Sequence, residues 1–133
     1  MNKIIVPAER ERLDDVLVFI EKSLDSSGCS VKSKLRLDVA VEEIFVNIAC
    51  YAYGGNSGDV EIEYAVEDNS AVITFRDKGT AYNPLERDDP DVTLSAQERE
   101  IGGLGILMVK KSMDDVRYSY ENGENILTIF KSL

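Results

Sequence analysis

Asp59-Val60-Glu61-Ile62-Glu63-Tyr64-Ala65-Val66-Glu67 decides the fold, because its apolar side chains recur at every second residue and show one face to a core and one to water. Ahead of it the period is helical. Leu37, Val41, Ile44, Phe45 and Ile48 form a wide apolar face on a helix that Ser30 can cap and that reaches about Tyr53. Gly54-Gly55-Asn56-Ser57-Gly58 stops that helix and separates the two periods. After the strand, Glu67-Asp68-Asn69-Ser70 turns the chain into a partner over Ala71 to Arg76, with Ile73 and Phe75 on one face.

Farther out, Ile4, Ile5 and Val6 suit a short strand, and Pro7 with Glu9 and Glu11 suits a helix start. Leu13, Val16, Leu17, Ile20 and Leu24 then repeat at helical spacing, and Gly28 can end the helix with a left-handed turn. Toward the other end, Leu104, Leu107, Met108 and Met113 suggest a third helix. Val116 to Glu121 and Ile126 to Lys131 read as strands joined across Asn122-Gly123-Glu124-Asn125. The order β-α-α-β-β-lid-α-β-β predicts an α+β fold: a two-layer sandwich whose mixed, mostly antiparallel sheet is covered by helices on one face. Between Lys78 and Glu100 the chain has few apolar residues, Pro84 and Pro90, and the acidic cluster Glu86, Asp88, Asp89 and Asp91. A loop this long in a compact domain is expected to be either functional or disordered, often a lid, here over about 79–102, and Ser95-Ala96-Gln97-Glu98 can serve as a capping box for one helical turn.

The 133 residues fit one domain, 1–133, of a size that buries roughly two-thirds of its unfolded surface. A hydrophobic fraction of 44% and a charged fraction of 30% are those of a globular protein, and no apolar run approaches the roughly 20 residues that span a bilayer. The apolar stretch at the amino terminus is too short for a secretory signal, so a cytoplasmic protein is expected, without membrane attachment. Lys and Arg number 15 against 25 Asp and Glu, a formal charge of −10 that repels nucleic acid and makes a bare polyphosphate an awkward ligand unless a divalent cation accompanies it. Cys29 and Cys50 read as small residues filling space. With no histidine and only those two cysteines, zinc and imidazole-based acid–base chemistry are nearly excluded.

Three short segments carry chemistry. Glu43 and Asn47 lie one helical turn apart within Val41-Glu42-Glu43-Ile44-Phe45-Val46-Asn47-Ile48-Ala49, so they project from one side of an otherwise apolar helix. They read either as the solvent edge of an amphipathic helix, with Arg36, or as the lining of a cavity. Glu42 and Asp38 already supply a wet edge, which favours the cavity. There a carboxamide oxygen can ligate a hard cation and a carboxylate can take a proton from an attacking hydroxyl. Asp77 closes the Phe75 strand, and Gly79 two residues on permits close approach of a ligand. The pair reads either as an ordinary strand-end turn or as a carboxylate that accepts from the exocyclic amine of adenine. Gly102-Gly103-Leu104-Gly105 opens the third helix, either as a hinge or as bare N–H groups that hold phosphates at a helix start. It is not a Walker loop, since no Gly-Lys-Ser/Thr follows it, nor a Rossmann fingerprint, since no strand immediately precedes it.

Together these segments resemble the ATP-binding (Bergerat-type) fold shared by type II topoisomerases, the heat-shock chaperone ATPase and histidine kinases. Within that superfamily the chain is similar to the small anti-sigma-factor serine kinases. Val41 to Ala49 resembles the N box, Asp77-Lys78-Gly79-Thr80-Ala81-Tyr82-Asn83-Pro84 the first glycine box, and Ile101-Gly102-Gly103-Leu104-Gly105-Ile106 the second. The resemblance implies ATP and Mg²⁺ as cofactors, with Glu43 as general base and Asn47 as Mg²⁺ ligand. Asp77 is then the reader of adenine, and Gly79, Gly102, Gly103, Leu104 and Gly105 the contacts to nucleotide and phosphates. It further implies a serine on a small antagonist protein as substrate, a sigma factor as second partner, and a homodimer. A nucleotide-gated module that sequesters a partner without chemistry is the alternative. Two departures stand out: where family members often carry an arginine directly before the second box, the nearest here is Arg99, and Tyr51, read as packing, stands where some relatives have histidine.

Overall fold

The computed structural model describes residues 2–86 and 103–133. It orders the chain as β1 (Asn2–Pro7), α1 (Leu13–Ser26), α2 (Val31–Tyr51), β2 (Asp59–Glu67), β3 (Ser70–Asp77), α3 (Gly103–Ser112), β4 (Asp115–Glu121) and β5 (Glu124–Ser132). Short 3-10 turns lie at Arg10–Arg12 and Pro84–Glu86. Residues 87–102 of the lid lie outside the described residues, and with them Asp88, Asp89 and Asp91 of the acidic cluster, the capping box, Arg99 and Gly102.

The strands form one sheet in the order β1-β2-β3-β5-β4. Every pairing is antiparallel, whereas a mixed, mostly antiparallel sheet was expected. Two tight hairpins account for half of this. Asp68 and Asn69 (φ 49° and 61°) reverse β2 into β3, and Asn122 and Gly123 (φ 55° and 80°) reverse β4 into β5, the left-handed pairs that match strand twist.

The three α-helices among the described residues cover one face. Val16, Ile20 and Leu24 of α1 and Leu37, Val41, Ile44 and Phe45 of α2 pack with Val60, Ile62 and Tyr64 of β2, Ile73 and Phe75 of β3, and Leu127 and Ile129 of β5. Tyr64 keeps its hydroxyl bonded by donating to Ser27 Oγ at 2.8 Å. Val66, read as the last core residue of β2, is instead exposed, because β1 stops pairing at Tyr64 and leaves the hairpin end beyond the layer. In central β3, Val72 and Thr74 are buried on the opposite face as well, flanked by strands on both sides.

The helix signals act locally as expected, with shifted ends. Ser30 Oγ accepts the N–H of Ser33 at 3.2 Å and caps α2, while Gly28 takes the left-handed conformation (φ 70°) after α1. The α1 helix proper starts only at Leu13, after the 3-10 turn, and α2 ends at Tyr51 rather than Tyr53. The inward residues of the third helical segment are Ile106, Val109 and Met113, with Met113 just past the helix end; Met108, read as part of the apolar stripe, faces water. Cys50 is exposed rather than filling space. Asp38 is not a plain solvated edge either: its Oδ1 is buried without a hydrogen-bond partner, and burial, followed by the Glu21 carboxylate of α1, pushes its pKa up. Among the described residues no helix is long and apolar enough to cross a membrane.

Two measurements test this packing. Val109→Ala should lower stability by about 2 kcal/mol in denaturant unfolding, while Met108→Ala stays within about 0.5 kcal/mol. A carboxyl whose pKa is raised on folding stabilises the native state only at low pH, and that contribution is lost as pH rises through the folded value. Asp38→Asn should therefore raise the unfolding midpoint at pH 7, and the gain should shrink as the pH falls toward the ordinary aspartate range.

Candidate functional site

Where α2 ends against the turn that follows β3, the fold leaves a cavity of about 600 Å³. Helix α2 contributes Ile44, Asn47, Ile48 and Tyr51, followed by Ala52. Asp77 stands at the strand end, Thr80, Ala81, Tyr82 and Pro84 follow it, and Ile106, Tyr118, Asn125 and Leu127 complete the wall. The volume suits a small organic ligand, and the lining is largely apolar with a few converging polar groups, as such sites are built.

The cavity owes its shape to a clamp. Thr80 N–H donates to the carbonyl of Ala52 at 2.8 Å, which ties the turn to the end of α2. Tyr53 adds a second tie: its hydroxyl donates to the Asp59 carbonyl and accepts the N–H of Lys78 at 2.9 Å. Burial pushes the phenol pKa up, so the hydroxyl keeps the proton it donates. Gly79 lies so close to the helix that a Cβ there would come within 2.1 Å of the Ala52 oxygen. The glycine read as permitting ligand approach is thus required by the helix, and Gly79 is not among the lining residues.

Asp77 is only 5% exposed, and a buried carboxylate needs donors. Its Oδ1 accepts the Gly79 N–H at 2.9 Å and Asn125 Nδ2 at 3.0 Å. No described residue donates to Oδ2. Because Asp77 lines the cavity and no oxygen of it is buried without a partner, Oδ2 is the edge it presents there. Asn125, paired with Asp77 in the β3–β5 register, is itself 7% exposed. Its Nδ2 also reaches the carbonyls of Thr80 at 3.0 Å and Gly79 at 3.4 Å, and its Oδ1 accepts from Tyr82 N–H at 3.1 Å and from the Tyr118 hydroxyl.

The residues singled out from sequence divide. Asn47 and Asp77 meet on the cavity wall. Glu43 sits half-buried one turn earlier on α2, outside the lining. Gly103, Leu104 and Gly105 form the first turn of α3, next to Ile106, which does line the cavity; Gly102 lies outside the described residues. Tyr51, read as packing, is a half-exposed wall residue. Tyr82 carries no role in the sequence reading beyond its place in the first glycine box, and Asn125 and Tyr118 are not singled out there, since Asn125 sits in a segment whose Asn-Gly pair reads as a turn and only the strand order sets it beside Asp77. Among the described residues, no group of three or more His, Cys, Asp or Glu side chains is arranged to hold a metal ion.

Comparison with known proteins agrees with this architecture. The family described as Histidine kinase-like ATPase domain matches residues 6–131. The chain is 26% identical over 127 residues to the Serine-protein kinase RsbW of Listeria monocytogenes, covering 92% of this chain and 81% of that protein. It is 27% identical over 128 residues to the protein of the same name from Oceanobacillus iheyensis, covering 92% and 80%. The histidine kinase AdeS of Acinetobacter baumannii shares the fold, with a TM-score of 0.55 at 14% identity, over 99% of this chain and 68% of that one.

The clamp predicts that Gly79→Ala, which sets a methyl against backbone rather than a yielding side chain, lowers stability by about 1–3 kcal/mol in urea unfolding.

Proposed function

The chain belongs to the Histidine kinase-like ATPase domain family, and from that membership we propose that it is an ATP- and Mg²⁺-dependent protein-serine kinase acting as an anti-sigma factor. It phosphorylates a small antagonist protein and, when that antagonist is phosphorylated, holds a sigma factor, as a homodimer in the cytoplasm. The serine-kinase part rests on the names of the relatives, and the partner-switching part on the resemblance of the three boxes. The observation that carries ATP as ligand is the largely apolar cavity in which Asp77 Oδ2 waits for a donor. Adenine offers one in its 6-amino group, and an apolar slot suits the ring faces.

The residues present fit the rest of the ligand. The α3 first turn, Gly103 to Gly105, adjoins the cavity lining at Ile106, and the N–H groups and dipole of a helix start suit phosphates. Asn47 would hold Mg²⁺ through its carboxamide oxygen, with the phosphates as the cation's other ligands. When bound, the cation would neutralise charge on the triphosphate. Glu43, one turn from Asn47, would take the proton of the substrate serine. Gly102 and Leu104 would complete the phosphate loop, as the second glycine box implies, and 79–102 would form the lid of a single domain spanning 1–133.

A second reading is favoured by one observation: Glu43 does not line the cavity. In that reading ATP orders the lid and the protein sequesters its partner without phosphoryl transfer.

Calorimetry and a transfer assay separate the two. ATP with Mg²⁺ should bind, and Asp77→Asn should weaken it about tenfold or more through the lost charged acceptor. Glu43→Gln should lower transfer from ATP to a serine-bearing antagonist by about 10²–10⁴-fold, the scale of a general base, while ATP affinity changes by less than about threefold. Wild-type protein that binds ATP yet leaves its antagonist unphosphorylated would establish the sequestering module instead.

A further inference from the structure

We infer that Asn125 is the positioning residue that sets the base selectivity of this cavity, by holding Asp77 so that one carboxylate oxygen, and no other, faces the ligand. The inference rests on the reading of the cavity as a nucleotide site. It starts from the amide's orientation, which backbone groups decide. Tyr82 N–H can only donate, and the carbonyls of Thr80 and Gly79 can only accept. Asn125 must therefore turn Oδ1 toward Tyr82 and Nδ2 toward the carbonyls, and with Nδ2 on that side a donor faces Asp77 Oδ1 at 3.0 Å. The usual ambiguity of a carboxamide does not arise here, since a flipped amide would set its oxygen against two carbonyls and a carboxylate at once.

The consequence falls on Asp77. A carboxylate is symmetric and swings about its last torsion with little preference, so a single bond from Gly79 N–H would leave either oxygen free to take part. The second donor, fixed on β5 and further held by the Tyr118 hydroxyl, commits Oδ1 to the protein. Oδ2 remains as a rigid acceptor on an apolar wall. An acceptor there takes a ring bearing an amine and disfavours one bearing a carbonyl at the same place, because two acceptors would then face each other with no proton between them. The same amide also pins Thr80 and Tyr82, both lining residues, so the wall and the acceptor are set by one side chain.

Titration of ATP and inosine triphosphate, which carries a 6-oxo group in place of the amine, tests this in wild-type protein, Asn125→Ala and Tyr118→Phe, each checked for native secondary structure. The wild type should prefer ATP by about tenfold or more. In Asn125→Ala the affinity for ATP should fall about tenfold while that for inosine triphosphate stays within about twofold, so the preference collapses. Tyr118→Phe, a milder change that keeps the ring, should shift the ratio in the same direction by a smaller factor and serves alone if Asn125→Ala does not fold. An equal loss for both nucleotides would mark Asn125 as merely structural, and an unchanged ratio in the folded variants would overturn the inference; either result leaves the nucleotide site standing. Absence of binding by the wild type to either nucleotide would instead overturn the nucleotide reading itself.

Discussion

The end of α2 is fastened to the turn after β3, and the cavity depends on that fastening. Helix and strand come from separate parts of the chain and would otherwise meet through side chains. Here the contact is closer, backbone against backbone. The Thr80 N–H on the Ala52 carbonyl, the bare Gly79 against the same residue, and the Tyr53 hydroxyl between Lys78 and Asp59 hold the helix end against the turn. Asn47 on the helix and Asp77 at the strand end thereby line one cavity. Gly58 belongs to the same device, since a Cβ there would enter the Tyr53 ring at 2.2 Å.

Upon this clamp sits an unusual load, a buried carboxylate in a chain that already carries a net charge of −10. Two donors keep Asp77 tolerable without neutralising it, since neither Gly79 N–H nor the Asn125 amide is charged. Among the described residues no lysine or arginine pairs with Asp77. A structural ion pair would have satisfied both oxygens, whereas two neutral donors on one oxygen leave the other available. Asn125, besides donating to Asp77, bonds along the turn, so one residue both helps to satisfy the carboxylate and stiffens the wall.

How much of this was legible depended on whether the signal was local. The hairpins could be read because Asp68-Asn69 and Asn122-Gly123 favour left-handed backbone whatever surrounds them, and the Ser30 cap because it needs only Ser33. The helix–strand alternation could be read because burial on one face imposes a period. Periodicity failed where burial was not uniform along an element. Val66 continues the β2 alternation past the end of β1, and Met108 continues an apolar run whose inward positions are Ile106 and Val109. Asp38 looked like solvent edge because a sequence does not show that Glu21 of the neighbouring helix stands beside it. Tyr51 looked like packing because a cavity is made of residues that several elements leave unfilled, a property of no single one.

By itself the sequence determined the order of elements, the two-layer α+β sandwich, and the presence of Asn47 and Asp77 at a helix turn and a strand end, since these follow from spacing and short-range backbone preference. Tertiary structure alone decided that those two residues share a wall, that Gly79 is small for the helix's sake, that Glu43 stands outside the lining, and that Asn125 holds Asp77. The physical reason is the strand order. Asp77 and Asn125 are 48 positions apart along the chain and become neighbours only when β5 inserts between β3 and β4, a choice made by the collective burial of the sheet and not by any local motif.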